Sequence, residues 1–131
     1  MAVAKKAKRL SFSMPDRPGI LADITEKLKA AKVNITAICA YAWDDTAYFD
    51  MTTDANPKAK RALAGLGIKA EEDDVIAVEM PNKVGELYKA AKALADAGIN
   101  IEYMYGTTGA GRASTVLFST SDDKKALKLI K

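Results

Sequence analysis

No histidine occurs in the 131 residues, and Cys39 is the single cysteine. The first absence removes the commonest general base and the commonest metal ligand. The second excludes a disulfide framework, which needs at least a pair, and agrees with an intracellular, cytoplasmic protein. No apolar run approaches the ~20 residues of a membrane span, and the start, MAVAKKAKRL, lacks the apolar segment and cleavage pattern of a secretory signal. No membrane partner is expected. The net charge is only +3, with the excess concentrated in Lys5, Lys6, Lys8 and Arg9. A solvated basic tail over residues 1–9 accounts for it better than a nucleic-acid site, which would want a basic stripe interleaved with exposed aromatics.

What the chain does have is one stretch written twice. MPDRPGIL, Met14 to Leu21, returns as MPNKVGEL, Met80 to Leu87, at an offset of 85 − 19 = 66 residues. At the same offset Leu28 meets Leu94, Ala31 meets Ala97, Asn34 meets Asn100 and Ile35 meets Ile101. A repeat of this kind fixes the architecture before any single element is assigned. Modules of roughly 60 residues bury only about 60% of their unfolded surface, so each is expected to pack on the other or on a further copy, and the junction is the first place to seek a ligand.

Within the first copy, Leu10 to Met14 alternates as a half-buried strand and DRPG turns the chain. Ile20, Leu21, Ile24, Leu28 and Ala31 then recur at helical spacing over Gly19 to Lys32. Asn34 to Trp43 and Thr46 to Thr53 form a hairpin about Asp44-Asp45. Asn56-Pro57 opens a second helix as N-cap and first-turn proline, Gly67 stops it, and Ile68 to Asp74 is a short fourth strand. The order strand, helix, strand, strand, helix, strand is the ferredoxin-like split βαβ unit. The second copy has a strand at Val75 to Met80, a helix at Gly85 to Ala97, strands at Ile99 to Tyr105 and Ala113 to Thr120, and a helix at Asp122 to Lys131. It has no fourth strand of its own. The fold class is therefore α+β: a tail over 1–9, module 1 over 10–73 and a shortened module 2 over 74–131.

Few residues invite catalysis, and no catalytic residue, metal or cofactor is expected. Asp44-Asp45, Glu71 to Asp74 and Asp122-Asp123 read as a turn, a strand junction and a helix cap. Cys39 reads as a core thiol. Gly106 to Gly111 precedes a strand, whereas a phosphate cradle opens a helix. The remaining candidate is the strand-to-helix turn, twice. A helix N-terminus seats a carboxylate, and Gly19 and Gly85 let a ligand approach the backbone. Asp16 and Asn82 lie three residues before the glycines, and Asn34 and Asn100 fifteen after, with amides suited to a zwitterion. Helix capping by Asp16 and αL turns at the asparagines are the structural alternatives.

DRPGIL with VNI, and NKVGEL with INI, resemble two ACT domains, the small-molecule regulatory modules attached to many enzymes of amino-acid metabolism. The resemblance covers nearly the whole chain after the basic segment. It implies modules side by side through their second strands in one eight-stranded sheet, with amino acids bound at the seam. Similarity to the serine-binding domains of phosphoglycerate dehydrogenase implies one site from Asp16, Arg17 and Gly19 with Asn100, and another from Asn82, Lys83 and Gly85 with Asn34. The Gly19, Ile20 and Leu21 amides, and Leu87 in the second copy, complete the ligand-binding set. Val84 departs from the proline of the motif.

The function so implied is a non-enzymatic sensor that binds a free amino acid between its modules and signals to a partner biosynthetic enzyme or to its own oligomer. The alternative is a ligand-independent interaction module acting as a regulatory subunit. RNA binding would want an aromatic pattern on the central strands that Phe12, Tyr48 and Phe49 do not make, and the phosphate loop of an acylphosphatase is not matched by DRPG. No nucleic-acid partner is expected. An uncovered Val75 to Met80 edge invites pairing with a second chain; the segment Val3 to Arg9 folding back over it is the competing solution.

Overall fold

The computed structural model describes residues 2–108 and 111–130; Gly109, Ala110 and Lys131, which the turn and last helix read from the sequence include, lie outside the described residues. In chain order the elements are β1 (Val3–Pro15), α1 (Ile20–Ala30), β2 (Ile35–Trp43), β3 (Thr46–Thr53), α2 (Asn56–Ala64), β4 (Glu71–Pro81), α3 (Glu86–Asp96), β5 (Ile101–Thr108), β6 (Ala113–Thr120) and α4 (Asp123–Leu129). The hydrogen-bonded strand order is β2-β3-β1-β4-β6-β5. Two compact units result: Lys8–Asp73, here the first unit, and residues 1–7 with 74–131, the second. The two-module α+β architecture is thus as the repeat implies.

Its strands differ from expectation in one respect with wide consequences. Residues 1–9 are not a solvated tail: β1 begins at Val3, and the fourth strand of the first module runs without a break into the first strand of the second, as β4. Among the described residues of the second unit no strand follows β6, and the front of β1 lies beside β4, with Ala2 and Ala4 packed on the core. In the first unit the front of β4 serves the same purpose beside the rear of β1. Asn56, expected as an N-cap, instead donates its amide to the Lys8 carbonyl at 3.1 Å and to Glu72 at 2.9 Å, and Ala55 is the N-cap residue. Arg9 pairs with Asp50 at 3.0 Å. An unpaired edge leaves backbone N–H and C=O groups without partners, and supplying a strand from elsewhere in the chain satisfies them.

Each core lies between one sheet face and its helices. In the first unit Leu10, Phe12, Phe49 and Met51 meet Ile24, Leu28 and Leu63, and the Phe12 and Phe49 rings stack at 5.1 Å. In the second, Ile76, Val78, Val116 and Phe118 meet Ala90, Leu94 and Ala126. Spacings of four along α1 (Ile20, Ile24, Leu28) put the apolar residues on one face. Cys39 is not in either core; it is half-buried on β2.

Three helices end alike. The N–H of Val33 reaches the Leu28 carbonyl at 2.9 Å, Ile68 reaches Leu63 at 3.1 Å and Ile99 reaches Leu94 at 2.9 Å, each after a residue of positive φ: Lys32, Gly67 and Gly98. These are Schellman closures, which favour glycine at the left-handed position. Lys32, at φ 59°, carries a Cβ there and bears the cost. Lys32→Gly is accordingly expected to raise the first unit's stability by about 0.5–1 kcal/mol, part of the αL penalty being offset by glycine's freedom when unfolded. Urea unfolding measures it, and a loss of stability would refute the assignment.

Candidate ligand site at the strand-to-helix turns

Both turns are built by the same local rule. Proline ends the strand, and Gly19 and Gly85, at φ 85° and 89°, enter the helix in the left-handed region. Neither helix has a side-chain cap hydrogen bond, so Asp16 does not cap α1. The first backbone bonds run from Asp23 N–H to the Gly19 carbonyl at 3.0 Å and from Lys89 N–H to the Gly85 carbonyl at 3.1 Å, while the Ile20 and Glu86 N–H groups make long bonds of 3.4 and 3.3 Å to Arg17 and Lys83 carbonyls. Among the described residues this leaves the N–H groups of Leu21 and Ala22, and of Leu87 and Tyr88, without a backbone acceptor. These are orphan donors of a helix start.

The surroundings of the two turns differ. At the first, the Asp16 N–H is bound to the Asp45 carbonyl at 2.9 Å. The Arg17 guanidinium donates to the Pro18 carbonyl at 3.3 Å and forms an ion pair with Asp23 in the first helical turn. That carboxylate already answers the positive end of α1. At the second, Lys89 occupies the place of Asp23, and a cavity of 360 Å³ opens beside the turn. Its lining joins Asn82, Lys83, Glu86 and Leu87 to Met80, Met104, Gly106, Thr107, Ser114 and Val116. A broader cleft of 710 Å³ lies against the same turn, bordered by Glu79, Arg112 and Ala113 as well as Asn82 and Lys83.

The cavity has an apolar wall and opposed charges. Met80, Leu87, Met104 and Val116 supply the wall. The Glu86 side chain is 15% exposed and pairs with Lys89, at 3.3 Å and itself largely solvated. Gly106 lets the β5 backbone line the space: a Cβ there would come within 3.0 Å of Val116 Cγ2 and 3.3 Å of the Thr115 carbonyl. A pocket with a carboxylate, an ammonium group, free amides and thioether walls suits a small zwitterion with an apolar or flexible side chain.

Of the residues expected in a site, Asn82, Lys83, Gly85 and Leu87 are thus gathered at one turn, and Asp16, Arg17, Gly19, Ile20 and Leu21 at the other. The asparagines are elsewhere. Asn34 N–H is held by Asp54 at 2.9 Å, and Asn100 N–H by Ser121 at 2.9 Å. Asp16 is level with Asp45, so nine residues of β3 and its flanks, roughly 30 Å at strand rise, separate Asn34 from the turn of its own unit. Neither asparagine is left-handed. Nor do β2 and β5 adjoin; they are the two ends of the strand order. The described strands number six, in that one order, rather than the eight that the resemblance implies. Glu86 stands inside the NKVGEL stretch itself, whereas Met104, Gly106, Ser114 and Val116 are joined to it by cross-strand register, Gly106 opposite Val116 and Thr108 opposite Ser114, which no local motif encodes.

The sequence profile of ACT domain pairs matches residues 5–131. No curated protein sequence matches. Among solved structures, the chain is similar to protein BT0572 from Bacteroides thetaiotaomicron, with a TM-score of 0.88 and 28% identity over 96% of this chain and 87% of that one. It shares its fold with the regulatory subunit of aspartate kinase from Thermus thermophilus, at a TM-score of 0.68 and 19% identity over 98% and 93% of the two chains. The corresponding subunit from Thermus flavus gives 0.65 and 22% over 98% and 94%. Among the described residues no helix is long and apolar enough to cross a membrane.

Proposed function

The chain belongs to the ACT domain pair family, and from that premise we propose that it is a non-enzymatic regulatory protein which binds a free amino acid at the β4–α3 turn. The observation that carries this reading is the 360 Å³ cavity beside Gly85, in which an apolar wall, the Glu86 carboxylate and the start of α3 converge. In the proposed complex the Leu87 and Tyr88 amides and Lys83 receive the ligand carboxylate. Glu86 and the Asn82 side chain receive its ammonium, and the side chain lies on Met80, Met104 and Val116. The first turn, whose cation and acid are already paired, binds more weakly.

The signal is read by a partner in trans, an enzyme of amino-acid metabolism, or by a homo-oligomer of the chain, in the cytoplasm. Fold neighbours that are separate regulatory subunits of a kinase support the trans arrangement. A ligand-independent interaction module is the second reading, favoured by the uncharged strand β2 at one end of the sheet order.

A melting screen against the free amino acids separates the two. A ligand that binds only the native state adds about 2.7 kcal/mol at one hundred times its dissociation constant, an unmistakable shift. If no amino acid at millimolar concentration, roughly the weakest affinity of use to a metabolite sensor, raises the melting temperature, the sensor reading is abandoned. Calorimetric titration should further show one strong event per chain, and two equal ones would contradict the difference between the turns.

A further inference from the structure

The face of the first unit's sheet that turns away from its helices carries two rungs fixed by register. Ser13 stands opposite Tyr48 and Tyr48 opposite Tyr41; on the next rung of that face Ser11 stands opposite Asp50 and Asp50 opposite Cys39. Phe12 and Phe49, between them in sequence, lie in the core, so these side chains share the other face. The Tyr41 and Tyr48 rings stack at 5.2 Å. A cleft of 420 Å³ opens beside them over Ser11 and Ser13, and Lys69 and Glu71 border it as well.

The repeat shows that the fold does not demand this surface. At the repeat offset Ser11 and Ser13 correspond to Ala77 and Glu79, and across the ladders Leu117 then stands for Asp50, Thr115 for Tyr48 and Thr107 for Tyr41. Leu117 is 3% exposed and Asp50 8%. One copy fills the position with an apolar side chain, while the other keeps a carboxylate there at a cost in desolvation. Arg9 donates to Asp50 Oδ1 at 3.0 Å. Oδ2 makes no hydrogen bond among the described residues, yet it is not sealed from solvent, and Asp50 lines the cleft.

We propose that this cleft binds a nucleobase bearing an exocyclic amine, free or as its nucleoside, with the ring stacked on Tyr48 and the amine donating to Asp50. The width selects one planar ring. β1 lies between β3 and β4, so two strand spacings, about 9.5 Å, separate the Tyr48 strand from the strand that Lys69 and Glu71 lead into; one ring in contact on both faces needs roughly 7–8 Å. The Ser11 and Ser13 hydroxyls, donors and acceptors both, meet the ring nitrogens. Charge excludes the other occupants. The ionic groups of the lining are the Asp50 and Glu71 carboxylates and the ammonium of Lys69, so a phosphate chain or an amino-acid carboxylate would lie against two acids with one solvated counter-ion. A neutral ring with N–H donors meets no such repulsion, and Lys69 can cover its outer face.

Equilibrium dialysis of the full chain against adenosine, cytidine and uridine tests it. Adenosine should bind once per chain with a dissociation constant below about 1 mM. Cytidine should bind at least about tenfold more tightly than uridine, which sets a carbonyl where cytidine has its amine, a charge-assisted bond being worth that factor or more. Adenosine triphosphate should bind more weakly than adenosine. Tyr48→Ala should weaken adenosine at least about tenfold, the scale of base stacking on an aromatic ring, and Tyr48→Phe should keep it within about threefold. Asp50→Leu, which installs the side chain of the second unit's counterpart, should act like Tyr48→Ala, and the Tyr48 pair decides alone if that variant unfolds. Gly106→Leu, at the cavity beside the other unit's turn, should leave adenosine binding unchanged. No adenosine bound at millimolar concentration overturns the proposal. So do equal binding of cytidine and uridine, indifference to Tyr48→Ala, and tighter binding of the triphosphate or of tryptophan than of adenosine.

Discussion

Deleting Ala2 to Ala7 should unfold the second unit while leaving the first largely intact. Val3 to Ala7 form the strand beside β4, and the residues they help to enclose are the centre of that unit: Val75 is 2% exposed, Ile76 1% and Val78 0%. Ala2 and Ala4 pack directly on the same core. Exposing even two such side chains forfeits roughly 1.5–3 kcal/mol each, and the bared β4 edge adds unpaired backbone groups. A loss of about 3–6 kcal/mol is comparable with the whole stability of a small domain, and about 3 kcal/mol alone lowers melting by roughly 12–24 °C in one of this size. Hydrogen exchange localises the effect: β4 and β6 amides should lose protection, whereas Leu10, Phe49 and Met51, in the first unit's core, should keep theirs. Replacing Lys5 and Lys6 by alanine should leave melting within a few degrees, because the segment acts through its backbone and small side chains. A truncated chain that melts like the full one would show that the N-terminal strand is dispensable.

That segment also shows where the sequence is legible and where it is not. The repeat at Gly19 and Gly85 identifies the two modules, both turns and the helices after them, since these depend on residues close together in the chain. The helix faces follow for the same reason, with Ile20, Ile24 and Leu28 four apart. Val3 to Arg9 carries four basic side chains and only small apolar ones, so nothing local marks it as a strand. The edge it fills, some seventy residues away in β4, makes it one. Likewise Glu71 to Asp74 reads as a charged junction because its side chains are solvated, although its backbone continues β4 without interruption. An asparagine fifteen residues after each glycine suggests a shared site, yet Asn34 is held by Asp54, a strand-length from the turn of its own unit. At the cavity the glycine, asparagine and leucine of the turn were visible, but not the β5 and β6 residues brought against them.

Gly106→Leu should abolish amino-acid binding while the protein still folds. Glycine is favoured here by space rather than by φ: the first side-chain atom of any other residue would lie 3.0 Å from Val116 Cγ2 and 3.3 Å from the Thr115 carbonyl, and the neighbours would have to give way slightly. Because Gly106 and Val116 are paired across β5 and β6 and both line the 360 Å³ cavity, a leucine must either displace Val116 or extend into the space in which the ligand is proposed to lie. Overpacking of this kind costs typically 1–3 kcal/mol, so melting should fall without loss of the cooperative transition. Affinity should fall at least about a hundredfold, some 2.7 kcal/mol, since the side chain competes for the same volume and cannot leave. Gly106→Ala, which adds only the Cβ, should lower melting less and retain measurable binding. The decisive quantity is the ligand-induced shift within each variant, which removes the difference in their starting stabilities. If Gly106→Leu gains as large a shift from the amino acid as the unaltered chain does, the ligand does not occupy the space between α3, β5 and β6, and the assignment of Glu86, Met104 and Val116 to its binding falls with it.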